Sequence, residues 1–176
     1  MPNESAPRER AAGVMQFGAQ QRFTLTHPGT PAEALAWAQA PGRALVQVDF
    51  LQDVQLSGAH LSGELRVPVP LLGEITLPFV SRLDTAPSGA SLTPQPLPER
   101  RGWVEVSGQA TVGEPAPAGG GTPVELSFDF QAFLRLPDSG NLGGAAFEKM
   151  VRATAQRTIE RVLVGLPEQL QASMGQ

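Results

Sequence analysis

Few residues in this chain have the type and spacing that chemistry needs. His27 and His60 are its two histidines. Both fall at turn positions, and neither has a neighbouring ligand at metal spacing. Their expected state is a solvent-exposed loop side chain. Asp49, Asp53 and Glu64 could cluster as carboxylates. They lie on the polar side of strand patterns, which reads as a solvated surface rather than a site for acid–base work, since that needs partial burial. Gly119–Gly121 has no Lys-Ser/Thr after it and opens no helix, so it is a loop rather than a phosphate cradle. Ser57, Ser62 and Ser107 lack the Gly-x-Ser-x-Gly elbow. Arg100-Arg101 is a short basic pair in a loop. Gln52 and Ser81 stand out for another reason: each interrupts an otherwise apolar strand face. A buried amide or hydroxyl without a partner costs ~1–3 kcal/mol. Each should therefore bond to backbone, be turned outward by a bulge, or line a cavity and orient the polar end of a ligand.

Composition narrows the classes further. Cysteine is absent, which excludes disulfides and thiol chemistry. The net charge is −4 and the arginines are scattered, which argues against a nucleic-acid partner, since phosphate contacts need a concentrated basic face. No apolar run reaches the ~20 residues of a membrane span. Residues 1–13 are polar and aperiodic, and are expected to be a disordered lead without a signal-peptide core. A cytoplasmic location and one domain over residues 14–176 are the corresponding expectations.

The elements follow from periodicity. Phe17 and Phe23–Thr26 alternate as a first strand ending at His27-Pro28-Gly29. Thr30-Pro31-Ala32-Glu33 reads as a capping box with proline at the first helical position, opening a helix over Pro31–Ala40 that Pro41-Gly42 should stop. The period then falls to two. Val46, Val48, Phe50, Val54 and Leu56 share a face with Gln52, and Gly58-Ala59 is a hairpin turn. Leu61, Gly63, Leu65, Val67 and Val69 follow. A two-residue loop sets Asp53 opposite Glu64, and a shift of two would set it opposite Arg66; parity allows both. Ile75, Leu77, Phe79, Ser81 and Leu83 face inward on the next strand, with Pro78 outside marking a bulge or unpaired edge. A short strand over Ser91–Leu97, one over Trp103–Val112, and one over Val124–Leu136 complete the sheet. From Gly144 to Leu170, a stripe at three- and four-residue steps includes Phe147, Met150, Val151, Ile159, Val162, Leu163 and Leu166. The fold class expected is α+β: a curved antiparallel sheet of six to seven strands packed on a long C-terminal helix.

That order resembles the START/Bet v 1-like (helix-grip, polyketide cyclase/lipid transport) superfamily and its bacterial members, over about residues 20–172. Thr30–Ala38 is similar to its first helix. The strand Phe130–Pro137, the glycine-rich link and Phe147…Val151 resemble its last strand and grip helix. Gly42–Leu45 leaves little room for the superfamily's second short helix. The resemblance implies non-catalytic binding of a small hydrophobic molecule or lipid between sheet and helix, with no cofactor. A filled-core protein-interaction module is the alternative, and a cyclase-type enzyme a third. The geometric candidates for a cavity lining are Phe50, Gln52, Leu65, Leu77, Phe79, Ser81, Phe130, Leu134, Phe147 and Val151, with Gln52 as polar anchor. Oligomeric state is not legible.

Overall fold

Strict alternation over long stretches builds the sheet. The computed structural model describes residues 14–69, 73–97, 100–135 and 144–175. The expected N-terminal lead, residues 1–13, and the end of the last strand with the glycine-rich link, residues 136–143, lie outside them. The strands are β1 Val14–His27, β2 Leu51–Ser57, β3 His60–Val69, β4 Gly73–Ala86, β5 Gly89–Pro94, β6 Gly102–Val112 and β7 Thr122–Arg135. They form one antiparallel sheet in the order β1-β7-β6-β5-β4-β3-β2. Every neighbour except β1 is the next strand in sequence, so β1 and β2 are the two edges. One face carries the apolar parity: Phe17 and Leu25; Leu61, Leu65 and Val67; Leu77 and Phe79; Val104 and Val106; Val124 through Ala132 at every second residue. This is the one-sided burial of an antiparallel meander.

The helices α1 Pro31–Ala38, α2 Pro41–Leu45, α3 Gly144–Val164 and α4 Leu166–Ser173 cover that face. The result is the START/Bet v 1-like helix-grip fold: a curved, open seven-stranded sheet with a long bent C-terminal helix. The α3–α4 stripe buries Val151, Ala155, Ile159, Leu163, Leu166 and Leu170, each at 2% exposure or less. At roughly 1.5–3 kcal/mol for each fully buried large side chain, this contact dominates the packing energy.

Four expectations are corrected. The helix does not run unbroken to Leu170. Gly165 ends α3, and Pro167 sits within the first two residues of α4, where its missing N–H costs nothing. The stripe nevertheless continues across the bend. Met150 is 49% exposed and lies off it. Pro41 does not simply stop α1 but opens the second short helix, α2. Val46–Phe50 is therefore a turn rather than strand, which leaves Val46 exposed and Val48 buried.

The fourth correction concerns β2. Gly58, at φ 59°, makes the two-residue turn, and Ser57 pairs with His60, Leu56 with Leu61 and Gln55 with Ser62. A bulge between Gln52 and Gln55 then shifts the register by one, so Leu51 faces Leu65 and Gln52 faces Glu64. Asp53 takes φ 53° there, a left-handed conformation that a short polar side chain tolerates better than most. Neither register expected for Asp53 forms, and the like-charge pair with Glu64 is avoided. Leu51, not Gln52, turns into the core.

Candidate functional site: an apolar pocket beneath the first two helices

Helix α1 is fixed at its start by the expected capping box. Glu33 N–H donates to Thr30 Oγ1 at 3.3 Å and Thr30 N–H donates to Glu33 Oε2 at 2.7 Å. The Thr30 bonds hold the Glu33 carboxyl below its usual range, the backbone N–H contributing most and the hydroxyl contact next. The faces that α1 and α2 turn to the sheet are made of small side chains: Ala34, Ala38 and Ala44 are buried, together with Leu45. Opposite them β6 presents Gly108 and Ala110, and β5 presents Ala90 and Leu92. Small residues on both sides leave a gap. Its remaining walls are Trp37, Pro41, Leu83, Leu126, Phe128 and Leu170, with Ser91 and Gln109 at the sheet side.

The gap has a volume of about 40 Å³. That admits at most a few water molecules, whereas a cavity of roughly 150 Å³ holds benzene. A ligand must therefore displace a wall. The ties across the roof are few and polar. Trp37 Nε1 donates to Ser173 Oγ at 3.1 Å, and Ser173 in turn donates to Leu170 O at 2.7 Å. Gln39 Nε2 donates to Ala86 O at 2.8 Å, joining the end of α1 to the β4–β5 hairpin. Gln169 of α4 accepts from Asp49 N–H at 2.8 Å and holds the segment after α2. Phe128, the floor, leans over Gly108: a Cβ placed there would lie 3.1 Å from the ring. Gly108 is thus the seat that lets the ring lie flat.

The expected lining residues have a different fate. Phe50, Leu65, Leu77, Phe79, Phe130 and Val151 are buried together in one continuous core, with Leu134 and Phe147 packed half-buried at its margin. Phe50 meets Phe130 edge-on, with centroids 6.3 Å apart. Ser81 is fully buried and donates to Val106 O at 2.6 Å, so backbone satisfies it. Gln52 is corrected outright. It sits on the outer face, where its Nε2 donates to Glu64 Oε2 at 2.8 Å, and it anchors nothing inside. None of these residues lines the pocket beneath α1 and α2.

His27 is also corrected. It is 8% exposed rather than a free loop side chain, and its Nδ1 accepts from Gly29 N–H at 2.9 Å. His60 is exposed as expected. No group of three metal-ligating side chains occurs among the described residues. No described helix is long and apolar enough to cross a membrane.

One inward residue escaped the sequence reading. The parity of Phe17 and Leu25 places Gln21 on the concave face of β1, opposite Phe128. Its Oε1 is buried and has no hydrogen-bond partner among the described residues. The same parity would also have placed His27 inward.

Residues 22–164 match the family described as "Protein of unknown function (DUF3809)", and the chain belongs to that family. No curated protein matches it by sequence. Among solved structures the chain is similar to the Zhui aromatase/cyclase from Streptomyces sp. R1128, at 13% identity over 92% of this chain and 94% of that one, with a TM-score of 0.54. It is also similar to a conserved protein from Geobacillus kaustophilus, at 13% identity over 92% and 95% with a TM-score of 0.49. A third similarity is to Ara h 8.0201, at 14% identity over 92% and 98% with a TM-score of 0.39.

Proposed function

We propose that this DUF3809 protein binds a small, mostly apolar molecule in the pocket beneath α1 and α2, without transforming it. The observation that carries this reading is the pocket's construction. Short side chains on two facing elements hold open an apolar gap, with an aromatic floor at Phe128 and a roof held by a few rim hydrogen bonds. Such a gap widens if α1–α2 lifts or the ring turns, and apolar walls with few polar groups suit a lipid-like or aromatic molecule better than a sugar or nucleotide. The fold is shared with an aromatase/cyclase, and this supports an apolar ligand for the chain. Binding is preferred to turnover because proton transfer would rest on few groups. On the described concave face the buried ionisable side chain is His27, whose Nδ1 is already engaged by Gly29.

The test is displacement of a fluorescent fatty acid from wild type and from Ala38→Leu, with circular dichroism confirming that the variant is folded. Saturable binding by wild type, lost in Ala38→Leu, is the expected result. No binding by wild type, or equal binding by both, refutes the pocket. The second reading, a protein-interaction module, is favoured by the filled core around Phe50, Phe79 and Phe130. It predicts that no small molecule binds at all.

A further inference from the structure

We infer that Gln21 is the polar anchor of this pocket and that its ligand carries a single hydrogen-bond donor, a hydroxyl or amide N–H, on an apolar body. The inference rests on the proposed pocket and adds the ligand's polar chemistry to it. Gln21 is the Cα partner of Phe128 on β7, and Phe128 is the Cα partner of Gly108 on β6. Directly paired residues of antiparallel strands project to the same face with Cβ atoms about 4.5–5.5 Å apart. Phe128 and Gly108 both line the pocket, so Gln21 stands one side chain beyond its floor.

The Phe128 ring is the partition. It lies over Gly108, on the side away from β1, and Phe23 stacks beside it with centroids 6.4 Å apart. A ligand that displaces this ring reaches the Gln21 amide. That amide is otherwise unexplained. Among the described residues, the fully buried polar side chains are paired: Ser81 with Val106 O, Thr122 with Gly29 O, His27 with Gly29 N–H, Ser173 with Leu170 O. Gln21 is half-buried, and its Oε1 is buried and unpaired among the described residues. A buried acceptor left without a donor is an energetic loss that a ligand donor removes. A site built around such a group discriminates strongly against an analogue lacking the donor.

The experiment titrates 1-naphthol and its near-isostere 1-methylnaphthalene into wild type, Gln21→Leu and Gln21→Met by isothermal calorimetry. Wild type should bind 1-naphthol on the order of tenfold more tightly, the ratio that one satisfied buried hydrogen bond gives. Both variants should bind the two compounds within about twofold of each other while keeping 1-methylnaphthalene affinity. Gln21→Met keeps the side chain's length, so it serves if Gln21→Leu folds poorly. Equal binding of the two compounds by wild type, or a preference that survives in folded Gln21→Met, overturns the anchor but leaves the pocket standing. Binding of neither compound by wild type overturns the pocket and the anchor together.

Discussion

Removing the Gln156 side chain should destabilise the protein measurably, and removing Gln171 should cost less. Strand β1 is an edge among the described residues: it pairs with β7 on one side and with no described strand on the other. The two C-terminal helices close that open side with amides that imitate a neighbouring peptide. Gly18 N–H donates to Gln156 Oε1 at 2.9 Å and Gln156 Nε2 donates to Gly18 O at 2.5 Å. Thr26 N–H donates to Gln171 Oε1 at 3.2 Å and Gln171 Nε2 donates to Thr26 O at 2.9 Å. Each clamp replaces one rung of a missing strand. A net ~0.5–1.5 kcal/mol per hydrogen bond gives about 1–3 kcal/mol for Gln156→Ala, because its bonds are partly buried and the freed backbone groups are poorly hydrated. The Thr26 bonds are exposed, water replaces them, and Gln171→Ala should cost under about 1 kcal/mol. The clamps stand eight residues apart on one strand, about 26 Å, so the double variant should be additive within about 0.5 kcal/mol. Urea melts measure these differences. Size-exclusion chromatography should show Gln156→Ala associating at high concentration, as an unguarded sheet edge does. A Gln156→Ala effect within error of zero, or a larger effect from Gln171→Ala, would refute this account of the edge.

Other perturbations separate the remaining contacts. Ile159→Ala, at a position with no exposure, should lose about 2–5 kcal/mol in denaturant melts, and Val151→Ala somewhat less. Arg152→Ala, which removes only a half-exposed i,i+4 pair with Glu148, should stay within about 0.5 kcal/mol; the reverse ranking would mean that the assigned helix face is wrong. The capping box gives a pH dependence. Glu33 has its folded pKa lowered by Thr30, so its stabilising contribution is fully present above the unfolded carboxylate range and fades as pH falls through the lowered folded value. Amide-exchange protection at Glu33 and Ala34, measured relative to the intrinsic rate at each pH, should fall on acidification in wild type. That acid-specific change should be absent in Glu33→Gln, and its persistence there would refute the assignment.

Much of the sheet was legible because alternation is a local signal enforced along whole strands. β3, β4, β6 and β7 show the inward sets that their residues dictate, and Ser81 fell where the parity of Leu77 and Phe79 put it. The misreadings cluster where one residue supports two structures. Pro41 ends a helix or begins one, and only the contacts of Ala44 and Leu45 decide that it begins α2. Val46, Val48 and Phe50 alternate like a strand, yet two of the three also suit a turn that buries Val48 and Phe50. Pro167 breaks a helix whose apolar stripe does not break, because Leu166 and Leu170 stay on the buried side of the bend. The pocket was not legible at all. Ala38, Ala44, Gly108 and Ala110 are unremarkable in their own elements, and become a gap only when α1–α2 is laid across β6.

Gln52 and Gln21 show what parity can and cannot decide. Both are glutamines at inward positions of an alternating strand. On β1 the alternation holds from Met15 to His27, because its pairing with β7 is continuous and every step of two returns to the same face. Gln21 therefore stays inside, with its amide unpaired. On β2 the bulge at Asp53 inserts one residue into the count. The two strand residues before it change face: Leu51 goes in, and Gln52 goes out to Glu64. The charge conflict between Asp53 and Glu64 in the unbulged register was the visible trace of that insertion, since the bulge is what removes it. A polar residue on an apolar face is thus evidence of a site only where the register behind it is unbroken, and by that criterion Gln21 is the residue to mutate first.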